Sequence, residues 1–171
     1  MNDLGRPPSN RRSAVIEDFA RSELFEHTFQ EGMELVEETA AYLDGSGRRD
    51  SKLLSRNAAL AYAAESMRLT TRLMQVASWL LVQRAVRQGE MAPELACEQG
   101  YRLGGEAGSA REVGGKDGLP HPLNQLLDRS ARLYERVRHL DRRMYLDTDG
   151  EAEAPHPVRS QMDRLRGAFS G

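Results

Sequence analysis

The sequence predicts an all-α protein: a three-helix bundle, dimeric, with a flexible N-terminal arm and a flexible C-terminal tail. The first observation is a run of 34 residues, 57–90, that has no proline and a single glycine next to its end. Its interior is rich in Ala, Leu, Met, Arg and Gln, which lose little side-chain freedom in a helix. The second is that 39% of the residues are hydrophobic but only 6% are aromatic, which suits a helical bundle better than a β-sandwich. Two further runs with helical apolar spacing supply the other helices.

The apolar residues of the central helix, 57–90, fall in two interleaved series that together form a wide stripe. A helix with so broad an apolar face needs at least two neighbours, so we place it at the centre of the bundle. One series is Leu60, Ala63, Met67, Met74, Ala77 and Leu81, and the other is Tyr62, Leu69, Leu73, Val76 and Leu80.

The N-terminal part predicts an arm followed by the first helix. Residues 1–13 contain two adjacent prolines and three arginines without apolar periodicity, so a disordered arm is expected. The first helix is expected over 14–43, with Ser13 or Ser22 as its N-cap. The glycines of 44–47 should end it through a left-handed cap. The expected core side chains are Phe25, Phe29, Val36, Ala40 and Leu43.

The C-terminal half predicts a short helix over 93–102, a Gly-rich loop over 103–120 and a last long helix over 122–145. The apolar stripe of the last helix is Leu123, Leu126, Leu127, Leu133, Tyr134, Val137, Leu140 and Met144. Residues 14–43 carry a balance of −7, whereas the central helix counted from Arg56 and the last helix each carry +3. The opposite charges of the first and central helices favour their adjacent packing.

The tail, 147–171, begins with an acidic run that contains two prolines and should form an extended tether. Beyond the tether, apolar residues recur at helical spacing and predict a short amphipathic segment over 158–169. This segment either folds back onto the bundle or docks into a groove of a partner, and we assign partner binding to Val158, Met162, Leu165 and Phe169.

Motifs for catalysis, metal binding and cofactor binding are not found in the sequence, so no enzyme activity and no cofactor are expected. Gly115-Lys116 lacks the first glycine and the hydroxyl residue of a phosphate loop. Only one of the four histidines, His156, follows a glutamate by three residues, whereas a di-iron bundle requires this spacing on each of two helices. The only cysteine, Cys97, excludes an internal disulfide and favours a cytoplasmic location. Residues 1–13 also lack the apolar stretch of a signal peptide.

The remaining candidates for function are residues on the protein surface. On the central helix, Arg68, Arg72 and Gln75 form a polar stripe, which we assign to partner binding. Further along the helix, Trp79, Val82 and Val86 form an apolar patch of a kind that soluble monomers avoid, which we assign to a dimer interface. An alternative function, a DNA-associated transcriptional regulator, would use the arginines of the last helix, Arg129, Arg132, Arg136 and Arg143.

Three runs resemble the bacterial RcdA family, the regulators of CtrA degradation. They are GMELVEETAAYLDG (32–45), ALAYAAESMRLTTRLMQVASWLLVQRAVRQGEM (59–91) and RSARLYERVRHLD (129–141), and they cover 60 residues on all three predicted helices. The resemblance implies a dimeric three-helix bundle without catalysis. It also implies a proteolytic adaptor that joins the ClpXP protease, once a response-regulator-like protein has primed the unfoldase ClpX. Such an adaptor delivers transcription factors that regulate the cell cycle.

Overall fold

The fold is a bundle of α-helices, seen in a computed structural model that describes residues 8–104 and 118–145. The all-α prediction is confirmed. The predicted C-terminal tail, the first seven residues of the arm and residues 105–117 of the Gly-rich loop lie outside the described residues. The elements are α1 (Pro8–Ala20), α2 (Glu23–Asp44), α3 (Ser46–Lys52), α4 (Arg56–Arg87), α5 (Pro93–Ala96), a 3₁₀ turn (Gln99–Tyr101) and α6 (His121–Tyr145).

Three long helices, α2, α4 and α6, form the bundle. Ion pairs join Glu31 to Arg136 and Glu38 to Arg129, so α2 and α6 run antiparallel. The α4 and α6 helices run in the same direction, because Arg72 bonds Ser130 in the first half of α6 and Trp79 bonds Asp141 near its end. The centre of the bundle is filled by fully buried aliphatic side chains, among them Leu35, Leu69, Val76, Leu80, Leu123, Leu133 and Val137.

The N-terminal region differs from the prediction of an arm over 1–13 and one helix over 14–43. A separate helix, α1, begins at Pro8 inside the predicted arm and ends at Ala20. Proline is well suited to a first helical position. The break falls at Ser22, whose Oγ accepts a hydrogen bond from the backbone N–H of Phe25 (3.1 Å) and so caps α2. Because the helix breaks there, α1 turns across one end of the bundle instead of extending α2.

Helix α1 closes that end with apolar contacts. Ile16 and Ala20 have no solvent-exposed surface. The ring of Phe19 lies 5.8 Å, between centroids, from the rings of both Phe25 and Trp79. The expected dimer patch on α4 is therefore covered by a helix of the same chain.

A short helix that the sequence did not predict, α3, follows the turn at Gly45. The φ angle of Gly45 is −107°, so the expected left-handed cap is not formed there. The second glycine, Gly47, is needed for space, because an added Cβ would lie 2.5 Å from the Tyr62 hydroxyl and 2.8 Å from the Tyr42 carbonyl oxygen. Close packing, rather than conformational freedom, explains this glycine.

The connection from α4 to α6 must return along the bundle, because the two helices are parallel. Helix α4 ends before Gly89, which has a φ of +73°, a conformation that glycine adopts without steric cost. The predicted single helix over 93–102 is replaced by α5 and the 3₁₀ turn. Residues 102–104 then lie against α4 and α6.

Candidate interaction surface

One side of α4 remains exposed although it carries large apolar side chains. The exposed fractions are 66% for Leu60, 73% for Met67, 65% for Met74 and 51% for Leu81. These four residues recur every seven positions, so they lie in one line along the helix. Between them lie small residues, Ala63, Ala64, Thr70, Thr71, Ala77 and Ser78, which are exposed or half-buried. We call these ten residues the α4 face.

The pattern of large and small side chains on the α4 face is the same in both directions along the helix. Reflection about the midpoint between Thr70 and Thr71 exchanges Leu60 with Leu81 and Met67 with Met74. The same operation exchanges Ala63 with Ser78 and Ala64 with Ala77. Two copies of such a face are self-complementary when the helices run antiparallel across a two-fold axis, and small residues at the axis allow the backbones to approach closely.

From its apolar spacing, the sequence predicts that this face belongs to the core. Both apolar series of α4 have helical spacing, but only the series around Leu69, Leu73, Val76 and Leu80 is buried. The signal that distinguishes them is the regular seven-residue spacing of Leu60, Met67, Met74 and Leu81, with only small residues between them. A core series advances by three and four residues and keeps large side chains at both steps.

The predicted dimer interface is wrong, because its residues belong to the core of a single chain. Trp79 is 1% exposed and Val86 is 6% exposed. Val82 is half-buried and packs against the same core. The physical reason is α1, which supplies Phe19 and Ile16 to this side of α4.

A buried carboxylate, Asp141 (5% exposed), fixes this end of the bundle. Its Oδ1 accepts a hydrogen bond from Trp79 Nε1 (2.9 Å), and its Oδ2 accepts one from Arg102 Nη2 (2.9 Å). The backbone N–H of Leu103 also donates to Oδ1 (3.4 Å). One side chain of α6 therefore holds α4 and the returning connection together, and these partners balance its buried charge.

The predicted polar stripe for partner binding is also largely inside the molecule. Arg72 is 8% exposed, and its Nη1 donates to Ser130 Oγ (3.0 Å) on α6. Arg68 forms an ion pair with the buried Glu65. Gln75 is half-buried and lies beside Gly104. The sequence predicts that these polar residues lie on the surface and bind a partner, whereas the structure places them between α4, α6 and the returning connection.

The other predicted site residues divide into two groups. Val158, Met162, Leu165 and Phe169 lie outside the described residues. Of the arginines named for DNA binding, Arg129 and Arg136 form ion pairs with Glu38 and Glu31, whereas Arg132 and Arg143 are exposed. Because glutamates neutralise half of the basic set, α6 offers less positive potential to a phosphate backbone than its sequence indicates.

Two buried phenols have raised pKa values. Burial raises the pKa of Tyr42, and the hydrogen bond from its hydroxyl to Asp50 Oδ2 (3.1 Å) adds to the shift. Burial also raises the pKa of Tyr134, whose hydroxyl donates to the Gly104 carbonyl oxygen (3.1 Å). Both groups stay protonated at neutral pH and act as hydrogen-bond donors within the fold.

Among residues 8–104 and 118–145, no three His, Cys, Asp or Glu side chains come together in a way that could hold a metal ion. No described helix combines the length and the apolar character needed to cross a membrane.

The chain is similar to a known protein family and to a solved structure. The family described as "Protein of unknown function (DUF1465)" matches residues 16–169. The crystal structure of RcdA from Caulobacter crescentus CB15 is similar to this chain, with 68% sequence identity and a TM-score of 0.63. The alignment covers 76% of this chain and 98% of the RcdA chain. No curated protein matches the sequence.

Proposed function

Because the chain belongs to the DUF1465 family and is 68% identical to RcdA over 98% of that chain, we propose that it is a non-enzymatic adaptor for regulated proteolysis. The adaptor joins ClpXP after a response-regulator-like protein has primed ClpX, and it delivers transcription factors that control the cell cycle. Similarity to RcdA is the observation that carries this proposal, because the RcdA family consists of regulators of CtrA degradation.

The chemistry of the surface supports an adaptor. The largest exposed apolar feature of the described residues is a helix face without charged groups, which suits protein binding better than catalysis. The C-terminal segment, with Val158, Met162, Leu165 and Phe169 at helical spacing, supplies a second binding element on an acidic tether. Two weak contacts joined by a tether bind more tightly than either contact alone, because the second binding event is intramolecular.

The test of this proposal is a degradation assay with purified ClpX, ClpP, the priming protein and a substrate transcription factor of the same bacterium. We expect the substrate to be degraded several-fold faster when both this protein and the priming protein are present than when either is missing. Replacing Val158, Met162, Leu165 and Phe169 by serine should remove the acceleration. A substrate that is degraded at one rate in all mixtures would contradict the adaptor proposal.

Self-association is part of the proposed function, and we assign it to the α4 face rather than to Trp79. In an antiparallel pair, Met67 of one protomer packs beside Met74 of its partner, and Leu60 packs beside Leu81. Eight large side chains, each already about one-third buried, contribute roughly 8–16 kcal/mol. Association costs about 4–15 kcal/mol, so the two contributions nearly offset each other and we expect a weak, reversible dimer.

Charges on the α4 face should separate the protomers without unfolding them. We expect the double variant Met67→Asp and Met74→Asp to be monomeric in analytical ultracentrifugation at concentrations where the wild-type protein is dimeric. Both side chains are mostly exposed, so the free energy of unfolding of the monomer should change by only about 0.5 kcal/mol.

The matched control places aspartates at exposed positions of other helices, Ala41→Asp in α2 and Gln125→Asp in α6. This control should remain dimeric. If the α4 variant dimerises like the wild-type protein, another surface mediates self-association.

A further inference from the structure

The chain continues for 26 residues after α6 ends at Tyr145, and the family match continues with it. That match extends to residue 169, which is Phe169, the last residue of the C-terminal apolar stripe. The stripe therefore lies within the region that the family model matches. It needs an apolar partner surface, because about twelve residues are too few for a stable isolated helix in water.

We propose that the segment Val158–Phe169 docks on the α4 face of its own chain, over Met67, Met74 and Leu81, and competes there with a second copy. The inference rests on the proposed self-association through the α4 face and describes how that association is regulated. Either the tail or the second copy covers the face, but not both.

The end of α6 lies where such docking is possible. Asp141, four residues before the end of α6, hydrogen-bonds Trp79, which is two residues from Leu81 on α4. The tail thus leaves the bundle at the end of α4 that carries Leu81. The link from residue 146 to residue 157 has 12 residues and spans up to about 40 Å when extended. This reach is more than enough to turn back along α4.

The dimensions of the two apolar surfaces match. As a helix, the segment places Val158 and Phe169 about 16 Å apart, and Met67 lies about 21 Å from Leu81 along α4. The four apolar residues of the segment recur at steps of four, three and four, so they form one side of a helix. The small residues of the α4 face, such as Thr71 and Ser78, leave room for that side to pack closely.

The charges beside the two surfaces are complementary. Residues 158–169 carry three arginines and one aspartate. Along the edge of α4, α2 presents Glu26, which pairs with Arg87. Glu37 is eleven residues further along α2, three helical turns, and so lies on the same side of that helix. Because Glu26 is already neutralised by Arg87, Glu37 is the carboxylate of this edge that favours a basic segment on the α4 face.

The tether determines how strongly the tail competes with a second copy for the α4 face. A short flexible link holds the segment at an effective concentration of about 1 mM. If the isolated segment binds with a dissociation constant of about 100 µM, the face is covered about ten times more often than it is free. Both protomers must release their tails before they pair, so removing the tail should tighten the dimer at least about tenfold.

The first test compares dimer dissociation constants by sedimentation for three forms of the protein. These are the full chain, a chain ending at Tyr145, and the full chain with Val158, Met162, Leu165 and Phe169 replaced by serine. We expect the truncated and serine forms to dimerise at least tenfold more tightly than the full chain. The control Asp163→Ser, on the opposite side of the segment, should not change the constant. Equal constants in all forms, or weaker dimers without the tail, would overturn the proposal.

The second test does not depend on dimerisation. In a Cys97→Ser background, nitroxide labels at Gln88→Cys and Ser160→Cys report the distance between the end of α4 and the tail. Dilution into unlabelled protein restricts the signal to one chain. We expect a narrow distance distribution that broadens when the four apolar residues are replaced by serine. A broad distribution in both forms would show that the tail does not dock, whether or not the protein dimerises.

Discussion

Replacing Trp79 by alanine should lower the free energy of unfolding by about 3–5 kcal/mol. The side chain is 1% exposed and packs against Phe19 of α1. Its indole N–H is bonded to Asp141 (2.9 Å). The change removes apolar contacts, leaves a cavity between three helices and deprives a buried carboxylate of a donor. Because α1 packs on this aromatic cluster through Phe19, we also expect it to detach before the bundle unfolds.

The measurement is urea denaturation followed by far-ultraviolet circular dichroism, since the variant lacks the only tryptophan of the chain. Trp79→Phe should cost less, because the ring is partly replaced. The control Met74→Ala, at a residue 65% exposed, should change the stability of the monomer by about 0.5 kcal/mol or less. A Trp79→Ala protein of normal stability that has become monomeric would support the interface predicted from the sequence.

Replacing Asp141 by alanine should lower the free energy of unfolding by about 2–4 kcal/mol. The change leaves the guanidinium of Arg102 and the indole N–H of Trp79 without their acceptor. The full cost of breaking a buried ion pair is about 3–5 kcal/mol. We expect less here because the Arg102 side chain is 23% exposed and regains some hydration.

Hydrogen exchange at the amide of Leu103 provides a second measurement, because that N–H also bonds Asp141. Exchange should accelerate at Leu103 in the variant and stay slow at buried positions of α2. Glu135→Ala breaks an exposed pair with Arg138 and should cost at most about 1 kcal/mol. If Asp141→Ala is no more destabilising than Glu135→Ala, Asp141 does not hold the connection.

The sequence predicts which segments are helical better than it predicts what each helix faces. Apolar spacing identified the three long helices, and opposite charges favoured packing of the first predicted helix beside the central one, where Glu26 pairs with Arg87. The resemblance to the RcdA family is confirmed by the 68% identity to RcdA. Local propensity and charge are properties of each segment, so the sequence alone carries them.

The misassigned surfaces depend on contacts between distant segments. The sequence predicts an exposed Trp79 because the neighbouring residues of α4 carry no sign that α1 covers it. The hydrogen-bond partner of Trp79, Asp141, is 62 positions away. Arg72 looked solvated for the same reason, since Ser130, its partner, belongs to α6. Conversely, Met67 and Met74 looked buried because methionine is apolar. Helical periodicity distinguishes the sides of a helix, but it does not show how many of those sides pack against other helices.

The parallel direction of α4 and α6 has a consequence for the order of folding. Only 11 residues separate α2 from α4, whereas 33 separate α4 from α6, and the Glu31–Arg136 pair closes a loop of 105 positions. Closing a longer loop costs more chain entropy, and contacts between distant segments slow folding. During synthesis, α2 and α4 leave the ribosome and pair while α6 is still untranslated. The groove that receives Leu133 of α6, beside Gly32 and Leu80, is therefore the last part of the core to close.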